Sequence, residues 1–397
     1  MRFPEFKGEW EVKKLWEVAE FKVTNSFSRD NLNYENGTVK NIHYGDIHTK
    51  FQTLFDITKE IVPYINEGIS INRISEDFYC KEGDIIFADA SEDLNDVGKS
   101  IEILNLNNEK LLSGLHTLLA RPKANYFQKG FKGYLFKSDS VRLQIQKEAQ
   151  GSKVLSINVG RISNVELSFP TFLEQQKITA LLSLLEEKIL SQNKIIGELK
   201  LLKNAISKKI FSLQLRFKDD DGSHFPDWKI MKLGEIGKFY AGGDLGKLDY
   251  KKEKKTGYQY PIYANGAGEG LFGYANSFQF PPNCVTVSGR GNLGYAKTRK
   301  SNFNAIVRLI VVNPNNDINP KFLEEAINNM NFAIESTGVP QLTIPQIISY
   351  SILIPCLEEQ NQIANSLSSI AKKTEIERRI LKQLESQKKY LLSNLFI

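Results

Sequence analysis

The chain repeats itself at long range, and that repeat constrains its fold more than any other feature. Phe172–Leu182 reads FLEQQKITALL, and Leu357–Leu367 reads LEEQNQIANSL, so that Glu174-Gln175 is answered by Glu359-Gln360 after a shift of 185 residues. From Pro170 and Pro355 the two stretches run on without a gap to Phe211 and Phe396, with few identities but one shared pattern. The lead-ins match at the same shift: GSKVLSINVGRISNVELSFP (Gly151–Pro170) faces STGVPQLTIPQIISYSILIP (Ser336–Pro355), with Val154 opposite Val339. Each lead-in ends in an alternating apolar stretch that reads as a short strand. The openings rhyme as well. FPEFKGEWEVKKLWEV from Phe3 and FPDWKIMKLGEI from Phe225 share Trp10/Trp228, Lys14/Lys232, Leu15/Leu233 and Glu17/Glu235. Two tandem copies of one plan follow: an opening, a globular body, a strand and a long helix. KDDDGSHFPDW (Lys218–Trp228), charged and carrying a glycine, reads as the connection between them.

The repeated helices carry a heptad seam. Ile178, Leu182, Leu185, Ile189, Gln192, Ile196, Leu199, Lys203, Ile206 and Ile210 are spaced by alternating steps of four and three. The second copy gives Ile363, Leu367, Ile370, Thr374, Glu377, Leu381, Leu384, Lys388, Leu391 and Leu395 in the same register. Polar residues fall at matching seam positions, Gln192 with Glu377 and Lys203 with Lys388, where a polar group fixes register at some cost in stability. At about 1.5 Å per residue such a helix is roughly 58 Å long, and its apolar stripe needs a partner. The matching helix is the expected partner, in an antiparallel coiled coil with a body at either end. The rival arrangement packs each stripe on its own body.

The bodies themselves, residues 22–150 and 240–335, show no sequence resemblance to each other. Both are rich in glycine, aromatic and β-branched residues in short alternating runs, which predicts twisted sheets with a few helices. The expected fold is therefore α+β, with an internal pseudo-twofold repeat. Its parts are residues 1–155 and 219–340 as two bodies, 156–218 and 341–397 as strand plus long helix.

Composition narrows the function. Over 397 residues, 52 Lys+Arg against 46 Asp+Glu leave a formal charge of +6, a modest excess that suits a polyanion such as nucleic acid without requiring one. Cys80, Cys284 and Cys356 are scattered without a C-x-x-C pair, which argues against a zinc knuckle or a disulfide framework and fits a reducing cytoplasm. The start MRFPEFKGEWEVKK lacks the apolar core of a signal peptide, and no apolar run approaches the roughly 18 residues of a membrane span.

Signals for catalysis or cofactor binding fail one by one. GEGLFG (Gly268–Gly273) fits G-x-G-x-x-G, but the YANSFQFPPN that follows, with Pro281-Pro282, cannot open the helix that receives a pyrophosphate. GKS (Gly98–Ser100) would need a glycine at position 93, which is Asp93. His43, His48, His116 and His224 have no metal-binding spacing. Asp84, Asp89 and Glu92 read as solvated turn acids, and NPNN at Asn313 as a turn rather than an adenine-methylating N-P-P-Y. No catalytic or metal site is expected.

Basic loops on the bodies are the other source of function. SGRGNLGYAKTRKS (Ser288–Ser301) sets Arg290 between glycines, where an arginine suits guanine, with Asn292 beside it and Lys297, Arg299 and Lys300 suited to phosphates. KLDYKKEKKTGYQY (Lys247–Tyr260) contributes Lys252 and Lys255 with tyrosines. In the first body, GDIHTKF offers Lys50, and SGLHTLLARPK offers His116, Arg121 and Lys123. For any one of these the competing reading is a solvated charged loop.

The order of these signals resembles the specificity subunit of type I restriction-modification systems. FPEFKGEW, body, FLEQQKI, HFPDW, body, GVPQLT and LEEQNQI are individually weak, but the doubled order spans essentially the whole chain. The resemblance implies two target-recognition domains, each reading one half of a split asymmetric DNA sequence in the major groove of double-stranded DNA. It implies helices that set the unread gap and dock two methyltransferase subunits, joined by motor-endonuclease subunits. S-adenosylmethionine, ATP and Mg2+ would then sit on those partners and none on this chain, which would be no enzyme itself and have no membrane partner. Only two residues precede the Phe3-Pro4 opening, so a longer N-terminal arm is expected to be absent. A scaffold with two β-rich ligand-binding ends is the alternative.

Overall fold

The computed structural model describes residues 1–123, 125–247, 249–265, 269–332 and 341–396. Ser336 and Gly338–Pro340 of the second lead-in, with Val339, lie outside the described residues, as do Leu248 and Gly268. Two compact units emerge: Met1–Gln192 with Ile380–Ile397, and Asn193–Arg379. The segments 156–218 and 341–397 are shared out between the units instead of standing apart.

In the first unit the opening strand β1 (Glu11–Lys14) is followed by β2 (Ala19–Lys22), β3 (Ile85–Ala88), β4 (Ser100–Asn105), β5 (Thr117–Pro122) and β6 (Glu166–Phe169). β1 pairs antiparallel with β6, Glu11 opposite Phe169 and Lys14 opposite Glu166. The main sheet runs β2-β5-β3-β4, with Leu54–Asp56 added parallel to β4. β3 reads IIFA because both of its faces are covered. Ile85 and Phe87 enter a core with Tyr134 and Phe136, while Ile86 and Ala88 enter another with Ile47 and Phe55. A smaller sheet joins Leu111–Ser113, Lys40–Ile42, Tyr64–Ile65 and Leu32–Asn33.

The second unit contains β7 (Lys229–Lys232), β8 (Gly237–Ala241), β9 (Val285–Val287), β10 (Ala296–Thr298), β11 (Ile310–Pro314) and β12 (Ser351–Ile354). β7 meets β12 as β1 meets β6, with Lys229 opposite Ile354 and Lys232 opposite Ser351. Its main sheet runs β8-β11-β9-β10, and its smaller one joins Asn304–Ala305, Tyr260–Tyr263, Leu271–Ala275 and Tyr250–Lys251. The helix Pro320–Asn328 covers the main sheet with Phe322, Leu323 and Ile327; Asn319 caps it by accepting from the Lys321 and Phe322 amides.

The registers of the two units are the same pair for pair. Ala19 faces Pro122 where Gly237 faces Pro314, and Leu119 faces Ile86 where Val311 faces Thr286. Ile86 faces Ile101 where Thr286 faces Lys297. The smaller sheets agree too, Ser113 facing Ile42 where Ala305 faces Tyr263. The bodies whose sequences show no resemblance thus share their strand pairing. Pairing is made by backbone groups, so it survives any side-chain change that keeps the strands apolar inside.

The long helices are α1 (Phe172–Phe211, 40 residues) and α2 (Leu357–Asn394, 38 residues). In the first unit Ile178, Leu182 and Leu185 of α1 are buried with Leu391 and Leu395 from the far end of α2. In the second, Ile206 and Ile210 from the far end of α1 pack in one core with Ile363 and Leu367. The helices are thus antiparallel. Both arrangements foreseen for the stripe occur together, because these seam residues also join the core of their own unit. Ile189, Ile196, Leu199, Ile370, Leu381 and Leu384 are buried or half-buried.

The seam lysines bind buried acids. Lys203 Nζ donates to both oxygens of Glu325 at 2.8 Å in the second unit. In the first, Lys388 pairs with Glu186, which also accepts from Thr53 Oγ1 at 2.5 Å and Tyr134 Oη at 2.9 Å. Burial alone would push the Glu186 carboxyl up, but Lys388, Thr53 and Lys137 outweigh it and hold it below the ordinary carboxylate range.

The repeated Glu-Gln has the same task in both units. Glu174 takes Arg2 Nε and Nη2 at 2.7 and 2.6 Å, and Glu359 takes Arg216 Nε and Nη2 at 3.2 and 2.9 Å, with Trp228 Nε1 added at 2.9 Å. Gln175 accepts from the Gln128 amide and donates to the Tyr126 and Pro170 carbonyls, while Gln360 accepts from the Asn319 amide and donates to those of Asp317 and Pro355. All four side chains are essentially fully buried.

Two outcomes are expected. Gln360→Ala orphans the Asn319 amide and two carbonyls and lowers stability by about 3 kcal/mol in urea unfolding, through the cost of buried unpaired groups. A lowered folded pKa contributes stability that is present above the unfolded value and lost as pH falls through the folded one. Glu186→Gln therefore lowers the melting temperature at pH 7 and shallows its decline below about pH 4.3, the unfolded glutamate value.

Candidate nucleic-acid interface

One corner of each unit gathers loops that the sheets place at equivalent positions. In the first unit β3 ends at Ala88, and Asp89 follows; β5 starts at Thr117, and His116 precedes it. The Asp89 amide donates to the His116 carbonyl at 3.0 Å, and His116 Nδ1 lies 3.2 Å from Asp89 Oδ1. Burial pushes the Asp89 carboxyl above its ordinary range despite the histidine beside it. Tyr44, which opens the helix Tyr44–Thr49 after the strand Lys40–Ile42, sets its ring edge-on to His116 at 5.3 Å. Gly114 lets the loop close, since a Cβ there would meet Asn41 Nδ2 at 2.4 Å and the Ile42 carbonyl at 2.5 Å. His116 itself stands exposed in the left-handed region, at φ 54°.

The second unit builds the same corner from other residues. Arg308 occupies the place of His116, and Val307 and Arg308 are both left-handed, at φ 55° and 57°. Asn265 stands where Tyr44 does. Its Nδ2 donates to the Val307 carbonyl at 2.6 Å, and its Oδ1 accepts from the Gly289 amide at 2.8 Å. Ser288 Oγ donates to the Arg290 carbonyl at 2.9 Å, and Arg290 Nη2 donates to Gln341 Oε1 at 3.1 Å. Arg308 is exposed and has no ion pair among the described residues.

The other sequence candidates scatter. Lys50 is exposed and shares the buried Asp46 with Arg29, at 2.9 and 2.7 Å, both cations also reaching Tyr34 Oη. Lys123 is exposed and donates to the Trp16 carbonyl. Lys252 lies over the Phe272 ring at 3.7 Å, and Lys255 and Lys300 are exposed. Asn292 is exposed, and Lys297, half-buried, sits 3.7 Å from Glu269.

Two candidates are corrected. Arg121 is buried: Nε and Nη2 clamp Asp84 at 3.0 and 2.8 Å, Nη1 binds the Asp77 carbonyl and Oδ1, and Nη2 also reaches the Tyr79 carbonyl. Arg299 is buried over the Tyr263 ring at 3.6 Å, with Nε on Thr286 Oγ1 at 2.9 Å and Nη1 on the Glu269 carbonyl at 3.0 Å. A guanidinium whose donors are so engaged inside the fold is a structural brace and does not reach a phosphate.

The sequence carries no signal for Tyr44, Asn265 or Arg308, and Asp89 reads there as a solvated acid. Only strand register reveals that they share a place. Among the described residues, no group of three His, Cys, Asp or Glu is close enough to hold a metal ion, and no helix is long and apolar enough to cross a membrane.

The family described as type I restriction modification DNA specificity domain matches residues 7–201 and 226–386. A putative type I specificity subunit of Mycoplasma pneumoniae is 30% identical over 212 residues, 53% of this chain and 56% of the relative, so the match spans little more than half of that protein. A putative type I restriction enzyme specificity subunit of Methanocaldococcus jannaschii is 26% identical over 98% of this chain and 93% of its own length. The crystal structure of the type I restriction-modification system S subunit from M. genitalium has the same fold, with a TM-score of 0.62 at 16% identity over 100% of this chain and 99% of that one.

Arg121→Ala is expected to strand Asp84 without its partner in the interior and to cost about 3–5 kcal/mol in urea unfolding, the usual penalty for breaking a buried pair. Lys123→Ala, at the surface, changes stability by less than about 0.5 kcal/mol in the same measurement.

Proposed function

Since the chain belongs to the type I restriction modification DNA specificity domain family, we propose that it is the DNA-recognition subunit of such a system, reading a bipartite asymmetric target without catalysing a reaction. The observation that carries this reading is the pair of register-identical bodies whose corner loops differ. A repeated scaffold with unlike loops reads two unlike half-sites, whereas two like loops would read a palindrome. Major-groove base edges are the source of sequence information, and exposed cations such as Lys50, Lys252, Lys255 and Lys300 supply sequence-independent attraction to phosphates.

The associated subunits belong to the same proposal. Two methyltransferase subunits would carry S-adenosylmethionine, and motor-endonuclease subunits would carry ATP and Mg2+, with the long helices setting the unread gap. What repeats on the surface supports two equivalent docking faces. Val12 of β1 and Ile230 of β7, at matching positions in the two openings, are both exposed. Ile195 of α1 and Ile380 of α2 are matched by the 185-residue shift and are exposed to 39% and 38%. Apolar exposure repeated at matched positions fits twinned partners.

Methylome sequencing tests the reading in cells that express the chain with a type I methyltransferase subunit, against cells lacking only this chain. The expected result is a two-part adenine-methylated motif with a fixed unread gap that disappears with the chain. Methylation identical in both strains would overturn it and favour a scaffold.

A further inference from the structure

We infer that the position immediately before β5 and its counterpart before β11 are the base-reading positions of the two units, filled by His116 in one and Arg308 in the other. The inference rests on the DNA-recognition reading above and deepens it.

Equivalence is fixed by hydrogen bonding and not by sequence. β5 and β11 pair with β2 and β8 in the same register, Pro122 on Ala19 and Pro314 on Gly237, which makes His116 and Arg308 counterparts. Their backbones agree independently, at φ 54° and 57°. Non-glycine residues adopt this conformation rarely, and the β-branched Val307 beside Arg308 does so at φ 55°. Two unrelated sequences keeping such a backbone at one place indicates that the place is held for what the side chain meets.

Both side chains are exposed; the His116 ring is steadied by Asp89 and Tyr44, and the backbone of the Arg308 loop by Asn265, which ties Val307 to Gly289. The chemistry of the two then diverges. In the tautomer that carries its proton on Nδ1, toward Asp89 Oδ1, the His116 ring presents Nε2 as an acceptor, which selects an amino-bearing edge, adenine N6 or cytosine N4. Arg308 presents a donor fork, which selects guanine O6 and N7. One backbone position, loaded with an acceptor in one unit and a donor in the other, yields half-sites that cannot be the same.

His116→Asn and Arg308→Asn test this, because asparagine is among the residues most at ease in the left-handed region and should leave the fold intact. Each full-length variant, in complex with the methyltransferase, is measured against duplexes substituted base by base in both half-sites, with thermal unfolding as the check on folding. The expected result is a loss of about ten- to a hundredfold in discrimination at one base pair of one half-site for His116→Asn, and at a guanine of the other half-site for Arg308→Asn. Melting and preference at the other half-site stay at wild-type values. Variants that keep wild-type preference at every position overturn the inference alone. So does an Arg308→Asn that weakens all duplexes equally and lowers the salt dependence, the signature of a phosphate contact. A wild-type complex with no base preference overturns the DNA-recognition reading and this inference with it.

Discussion

Everything in each unit hangs from a buried carboxylate and a buried amide at the start of a long helix. Glu174 and Gln175, and again Glu359 and Gln360, sit where the opening or the segment just before it, the strand before the helix and a loop of the body converge. A buried carboxylate is tolerable only with a charged partner, and a buried amide only with both ends engaged, so each residue admits one arrangement of its surroundings. The pair therefore determines where the chain enters and leaves the body. What lies between those points is free to change.

That freedom has a limit set by the sheets. Backbone pairing keeps β2-β5-β3-β4 and β8-β11-β9-β10 in one register, and a slip of one residue would turn a buried face outward. The closing details agree even where the side chains do not. The Gly98 amide donates to the Ala88 carbonyl as the Gly294 amide donates to that of Ser288, although nine residues separate the bonded strand end from the glycine in one unit and five in the other. Both glycines are left-handed, at φ 65° and 76°. Loop length varies while loop ends stay fixed, which is how a scaffold changes what it presents without changing what holds it up.

Much of this was legible in the sequence, and the remainder was hidden for definite reasons. The 185-residue echo and the four-three spacing exposed the duplication and the antiparallel helices because helix periodicity is written in every third or fourth residue. The likeness of the bodies was invisible, since Ile86 and Thr286 can hold the same register with different chemistry. A basic residue beside Pro122 or Lys300 looks like a loop cation, whereas Arg121 on β5 and Arg299 just past the end of β10 both turn inward, onto Asp84 and Tyr263. Arg308 is hidden for the opposite reason. It stands alone in AIVRLIV, an apolar run with no glycine or second cation to mark it.

The seam lysines show where the pseudo-symmetry is surrendered. Lys203 and Lys388 are equivalent by the repeat, yet Lys203 reaches Glu325 on the helix that covers its body, and Lys388 reaches Glu186 on the opposite long helix. Glu186 has Ala371 as its counterpart and Glu325 lies in a variable body, so neither acid is part of what repeats. The repeated half of each pair is the cation, and the local half is the acid that suits that unit's own packing. A half-buried ammonium is costly unless paired, so each repeated lysine needs an acid within its reach. The second unit supplies that acid from its variable body and the first from the opposite long helix, so one obligation of charge is met from two different elements.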